Sequence, residues 1–395
     1  MQTSTLYHSL AGRSPSFWFV LGTLGLLVGA AGLASLYMEH NGHWVTGMTN
    51  QIVWGLPHVC AFFLILAASG ALNVASIGSV MGKADYKPMG RLSCLLAVSL
   101  LAGGLAVLVL DLGRSDRLDV AATHFNFTSI FAFNIFLYTG FFGFCVLYLW
   151  AMMDPKLAAF YKPIAVGAFV WRLILTTGSG SILGFLVSRT GYHSALIAPM
   201  FIAFSLSLGL AAFILAMTAI DVATGRLAMP EPLLRRMRNL LGILIAVSLY
   251  MVAVHHLTNL YSAERRGFER FILLHGGVLT WFLWLGFVVI GSLLPLLVLF
   301  TTKGKTTLAF AALCTVLGGV AIVYVMLIGT QSFPIEIFPG KIVSSSFFDG
   351  AISSYHPKLP EFLLGFGGFS LTAMILMIGV WVLPLLPDAE PVEEE

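Results

Sequence analysis

Long apolar runs separated by short polar links make up nearly all of this chain. A helix needs about 20 consecutive apolar residues to cross a bilayer. Ten runs meet that length, at about 17–37, 56–80, 90–110, 128–151, 162–187, 195–220, 239–260, 270–300, 306–329 and 361–386. The pattern predicts an all-α polytopic membrane protein with about ten transmembrane helices. The eighth run is long enough to tilt or to extend past the membrane.

An internal repeat orders the runs. From Trp54 the chain reads WGLPHVCAFFLILAASGALNVASI, and from His193 it reads HSALIAPMFIAFSLSLGLAAFILAMTAI. A basic cluster opens the next run in each half: Lys87 and Arg91 in one, Arg235, Arg236 and Arg238 in the other. An offset of four helices preserves orientation. This predicts two parallel four-helix bundles, over 53–190 and 191–330, within a single membrane domain. The first helix and its loop (17–52), a loop and tenth helix (331–387) and an acidic tail (388–395) are additions. Chance likeness between apolar helices is the alternative.

Composition sharpens the class. Hydrophobic residues are 58% of the chain and charged residues 10%, against about 25% charged in soluble domains. A net charge of +3 is too small for a nucleic-acid binder, so membrane lipid is the expected surrounding. Cys60, Cys94, Cys145 and Cys314 are isolated within apolar runs, with neither metal-site spacing nor a disulfide framework. They read as small buried hydrophobes, and no intrinsic iron–sulfur cluster is expected. Arg13, the first run and Ala30-Ala31-Gly32 imitate a signal peptide. A run of about 21 residues suits an uncleaved first helix better.

Lys and Arg positions set the expected topology. Twelve fall on one set of segments: Arg13, Lys83, Lys87, Arg91, Lys156, Lys162, Arg226, Arg235, Arg236, Arg238, Lys303 and Lys305. Eight fall on the other: Arg114, Arg117, Arg189, Arg265, Arg266, Arg270, Lys341 and Lys358. The bias places both termini in the cytoplasm. Glu39-His40-Asn41-Gly42-His43, the 111–129 link, Tyr192-His193, the stretch from His255 to Arg270 and the 330–360 loop then share the outer face. A pore would spread its polar groups through the membrane. Gathering them at one face suits a pocket or a docking surface.

The 111–129 link carries the densest chemistry. It holds Asp111, Arg114, Asp116, Arg117, Asp119, His124, Asn126 and Ser129 between two apolar runs. Ionisable groups at a hydrocarbon boundary are costly unless they pair or serve a site. One reading closes the third helix at Gly113, with Asp111 and Arg114 as a local ion pair. The other makes Asp111 a partly desolvated proton acceptor. His124-Phe125-Asn126-Phe127-Thr128-Ser129 opens the fourth helix. Thr128 or Ser129 can cap it, but a cap explains neither His124 nor Asn126. A quinone head group needs hydrogen-bond partners for its carbonyls and flat apolar surfaces for its ring, and the link offers both.

Other polar positions carry weaker signals. Pro57 is ordinary first-turn grammar, and His58 one residue further is an interfacial histidine. Ser69, Gly70, Asn73 and Ser76 permit close helix packing, and Asn73 can bond a neighbouring helix. His255 and His256 diverge by about 100° on a helix, so both cannot face one haem. Without tiered histidines, intrinsic haem is not expected. Arg172, Glu269 and Arg270 are membrane-embedded or boundary charges that read either as functional groups or as structural pairs.

Trp54-Gly55, Asp111-Leu112-Gly113-Arg114, His124-Phe125-Asn126 with Ser129, Pro199 and Leu383-Pro384-Leu385-Leu386-Pro387 recur in a familiar order. Through them the chain resembles the NrfD/polysulfide-reductase family of membrane subunits across most of its length. Met38-Glu39-His40, Asn73-Val74-Ala75-Ser76 and Ser344-Ser345-Ser346-Phe347-Phe348 look most similar to family members linked to dissimilatory sulfite reductase. The resemblance implies a haem-free subunit in the inner (cytoplasmic) membrane, binding menaquinone or ubiquinone near its periplasmic face. It implies a periplasmic ferredoxin-like iron–sulfur partner, cytochrome and further iron–sulfur subunits, and a role in sulfur metabolism. Asp111 and His124 become the expected proton-handling, catalytic residues. His58, Asn73, Arg114, Asn126 and Ser129 become the expected quinone contacts, and no metal ligand is expected. Two rivals stand beside this reading: a transporter or ion channel, which a parallel repeat with broken helices would serve, and a structural anchor without a quinone site.

Overall fold

The computed structural model describes residues 7–10, 12, 14–225, 230–335 and 350–387. Arg13, Arg226, Lys341, the 344–348 stretch and the acidic tail lie outside the described residues. Ten helices long and apolar enough to cross a membrane are present among the described residues. They are α1 (Pro15–Asn41), α2 (Leu56–Ser79), α3 (Gly90–Leu110), α4 (Ile130–Met153), α5 (Tyr161–Gly184), α6 (Ile197–Thr224), α7 (Glu231–Tyr261), α8 (Val278–Thr301), α9 (Lys305–Ser332) and α10 (Leu359–Val382). The all-α polytopic expectation is met. Pro15, Pro57 and Pro360 lie in first turns, where a missing N–H loses no helical bond.

Both termini meet at one face. β1 (Tyr7–His8) pairs antiparallel with β2 (Leu386–Pro387). Arg91 clasps the junction: its guanidinium lies 3.8 Å over the Tyr7 ring and donates to the Pro384 and Met152 carbonyls at 2.9 and 2.7 Å. The loops after α1, α3, α5, α7 and α9 therefore share the opposite face.

The core sits on α2, whose apolar length is buried throughout. It packs on α3, α5, α6 and α10, while α1 lies against α10 and faces outward elsewhere. One set of contacts joins α2, α3, α4 and α5. Another joins α6, α7, α8 and α9, and the two sets meet along α2 and α6. At that seam a Cβ on Gly70 would run into the Ser205 carbonyl, and one on Gly209 would run into the Gly70 backbone. Lipid tails supply no hydrophobic drive between helices, so association rests on such close backbone approach.

Two elements depart from the sequence pattern. The eighth run, expected as one helix over 270–300, is interrupted at Gly277, whose φ of +59° lies in the left-handed region. A short segment from Arg266 to His275 precedes the break, and α8 starts after it. Apolarity alone does not register a backbone break. The seventh helix begins at Glu231 rather than 239, because its basic first turns leave the apolar zone as helix; there Arg236 pairs with Asp85.

Gly209→Val is expected to lower the melting temperature of the purified protein by several degrees, since overpacking costs about 1–3 kcal/mol. Gly22, with nothing near an added Cβ, supplies the control: Gly22→Ala should leave the melt unchanged. Equal melts for both variants would show that α2 and α6 do not touch there.

Candidate functional site

Asp111 ends α3 with its side chain fully buried. A lone buried carboxylate at a helix end, where carbonyls already point outward, is unfavourable twice over. Two imidazoles answer it. His58, in the first turn of α2, brings Nδ1 to 2.6 Å from Oδ2. His43, on the single turn His43–Val45 after α1, lies 3.8 Å from Oδ1 and bonds the Asp111 carbonyl at 3.2 Å through Nε2. Three separate segments thus converge on one carboxylate.

The surrounding loops hold these segments still. The buried Glu361 carboxylate accepts from the Gly47 and Lys358 amides at 2.6 and 2.8 Å and from the Tyr355 hydroxyl. The same hydroxyl accepts from the Leu56 amide at 2.6 Å, fixing the start of α2. Gln331 at the end of α9 accepts from the Val53 and Trp54 amides, both at 2.9 Å, and donates to the Trp54 carbonyl at 3.0 Å. Trp54 is thereby posed against His58, with ring centroids 6.2 Å apart and planes 22° apart. Phe131 and Tyr192 flank the indole at 6.3 and 6.2 Å.

Burial pushes the Asp111 carboxyl up, but the bonds and charges of His43 and His58 outweigh it, and the net displacement is downward. The bond to Asp111 raises the His43 imidazole, against a smaller opposing effect of burial. The ion pair is the favoured state.

The other expected site residues sit elsewhere. Arg114 is exposed and makes a bidentate pair with Asp116, at 2.9 and 2.7 Å. Asp111 therefore lies against His58 and not Arg114, and Gly113 is not left-handed. His124 is exposed and bonded to the Thr123 hydroxyl at 2.9 Å. Asn126 is also exposed, and its carbonyl oxygen accepts from the Thr128 amide and hydroxyl at 3.0 and 2.7 Å. Ser129 precedes α4 without a side-chain cap. Asn73 accepts from the Arg172 guanidinium at 3.0 Å, and 15 residues of helix put it about 22 Å from His58. The structure brings together Asp111 and His58 and adds His43. His124, Asn126 and Arg114 lie on the exposed surface, and Asn73 lies deep in the helix packing. Sequence reasoning passed over His43, Gln331 and Glu361. One signal was available for His43: a carboxylate at a membrane boundary needs a partner, and that histidine lies in a loop on the same face.

A ten-span helical membrane protein with a buried carboxylate–imidazole centre at one face defines the class. The chain belongs to the NrfD polysulphide reductase family, whose model matches residues 44–335. It is similar to the Hdr-like menaquinol oxidoreductase integral membrane subunit of Archaeoglobus fulgidus, with 28% identity over 96% of each chain. It is also similar to a selenate reductase subunit of Mesobacillus selenatarsenatis, with 23% identity over 93% of this chain and 94% of that one.

The Asp111–His43 pair gives stability a defined pH dependence. A lowered Asp111 adds stability above the ordinary carboxyl value of 3.8 and loses it as pH falls through the folded value. A raised His43 adds stability below 6.5 and loses it as pH rises through its folded value. The melting temperature is expected to carry a contribution from this pair that is largest between those limits. Asp111→Asn should flatten the profile on both sides. Superimposable profiles for wild type and variant would remove the pair from the stability of the protein.

Proposed function

We propose that this chain is the quinone-reactive membrane subunit of a multisubunit oxidoreductase. It exchanges electrons between the quinone pool and an iron–sulfur partner docked on the face opposite the termini. One observation carries this reading: a fully buried carboxylate lies 2.6 Å from Nδ1 of His58, beside a stacked indole. Oxidation of a quinol releases two electrons and two protons. With Nδ1 against Asp111, His58 takes one of these protons at Nε2, Asp111 stabilises the imidazolium that results, and the second proton leaves the ring for water at the open face. Trp54 and Phe131 supply the flat apolar surfaces a ring requires. Menaquinone is the preferred carrier, because the Archaeoglobus relative is named a menaquinol oxidoreductase subunit. The Lys and Arg bias supports cytoplasmic termini and hence a periplasmic docking face. The exposed 113–128 link, rich in charge, suits that docking role better than a pocket wall. Sulfur metabolism, with cytochrome and further iron–sulfur subunits, rests on the likeness of motifs alone.

Asp111→Asn and His58→Gln are each expected to lower quinol-dependent electron transfer in the assembled complex by about 10²-fold or more. His124→Ala should stay near the wild-type rate if complex assembly is unchanged. Full activity in both Asp111→Asn and His58→Gln would sink this assignment.

A further inference from the structure

A second buried carboxylate lies outside this centre. Glu269, just before the α8 break, is fully buried. His256 on α7 brings Nδ1 to 2.6 Å from Oε2, and the Asn259 amide donates to Oε1 at 2.7 Å. Arg265 donates to the Asn259 carbonyl oxygen at 3.1 Å, so its charge acts on the glutamate through the amide. His255 bonds Asn259 at 3.1 Å. Tyr192, from the loop after α5, donates to the Leu327 carbonyl. Arg189 is turned to the carbonyls of Gln51 and Gln331.

A cavity of about 30 Å³ opens beside the cluster, lined by Tyr192, His255, His256, Phe268, Ile322 and Thr330. One water occupies about 10–15 Å³, so the space fits about two. His255 is 7% exposed, and its Nδ1 has no hydrogen-bond partner among the described residues. Most buried polar atoms in proteins are satisfied by protein or by ordered water. On the far side of Ile322 lies a second cavity of about 10 Å³. Ser207, Ser248, Ser292 and Thr315 give it one hydroxyl from each of α6, α7, α8 and α9. Ser207 and Ser248 bond each other at 3.1 Å, and Ser292 Oγ is buried without a partner among the described residues. The four hydroxyls lie near the middle of their helices.

We propose that α6–α9 enclose a hydrated proton site. Glu269 shares a proton with His256, and His256, which lines the first cavity, exchanges it with water there. Across Ile322 the four hydroxyls make a second small polar pocket nearer mid-membrane. The ligand class is water and its transferable proton. His255 supplies the hydrogen bond that orders the water, and the proton moves between carboxylate, imidazole and water without any redox change. The site is distinct from the Asp111 centre, which it approaches through Tyr192, and does not depend on quinone reactivity.

Infrared difference spectra of the purified full chain, stepped from acid to alkaline pH, test this directly. A protonated-carboxyl band is expected that is absent in Glu269→Gln and displaced in His256→Gln. In D2O the wild-type band should shift promptly. Val252→Phe, which fills the first cavity, should slow that shift several-fold. If Glu269→Gln does not accumulate, the His256→Gln displacement gives the same reading on the native glutamate. A Glu269 carboxylate that neither titrates nor exchanges would make the cluster a static ion pair and overturn the proposal.

Discussion

Charge buried where a helix ends at the membrane boundary is the constraint on which the rest of this structure depends. An isolated carboxylate in low dielectric is expensive, and the C-terminal carbonyls of α3 add to the repulsion. Asp111 persists because His58 and His43 reach it from two other segments. Their arrival requires α2 to start at a fixed place and the loop after α1 to fold back. Those two requirements account for the Tyr355–Glu361 clasp and the Gln331 bracket. The polar architecture around α2 and the loop after α1 follows from keeping that carboxylate paired.

The same logic recurs in the other half with different parts. Glu269 is a buried carboxylate held by a histidine and an amide, beside a cavity rather than under an aromatic lid. The two centres approach each other through Tyr192, which lines that cavity and flanks Trp54. The helices between them are held by backbone contact at Gly70 and Gly209, a seam that tolerates no side chain. A rigid seam keeps both centres at the same face of the molecule, where polar groups can be satisfied by loops instead of by lipid.

Much of this was legible before any coordinates. The ten spans follow from apolar length, because a bilayer admits little else than a helix of about 20 residues. The family resemblance rested on short motifs and agrees with the matching family model. Asp111 and His58 stood out because a boundary carboxylate and histidine are rare in so apolar a chain. Arg114, His124 and Asn126 stood out for the same reason. They turn out to be exposed, satisfied by Asp116, Thr123 and Thr128 within a few residues of themselves. Polarity in a link shows that a residue avoids lipid, and leaves open whether it faces a site or water.

The sequence alone determined the number of spans, the common side of the two termini and the carboxylate around which one face is arranged. These depend on local quantities: run length, parity and the scarcity of charge. Only the tertiary structure decided which histidines answer Asp111, since residues 43, 58 and 111 are brought together by helix packing. It also decided where the eighth run breaks and that Glu269 is buried. A left-handed glycine and a cavity between four helices arise from neighbours distant in the chain, and no local pattern encodes them.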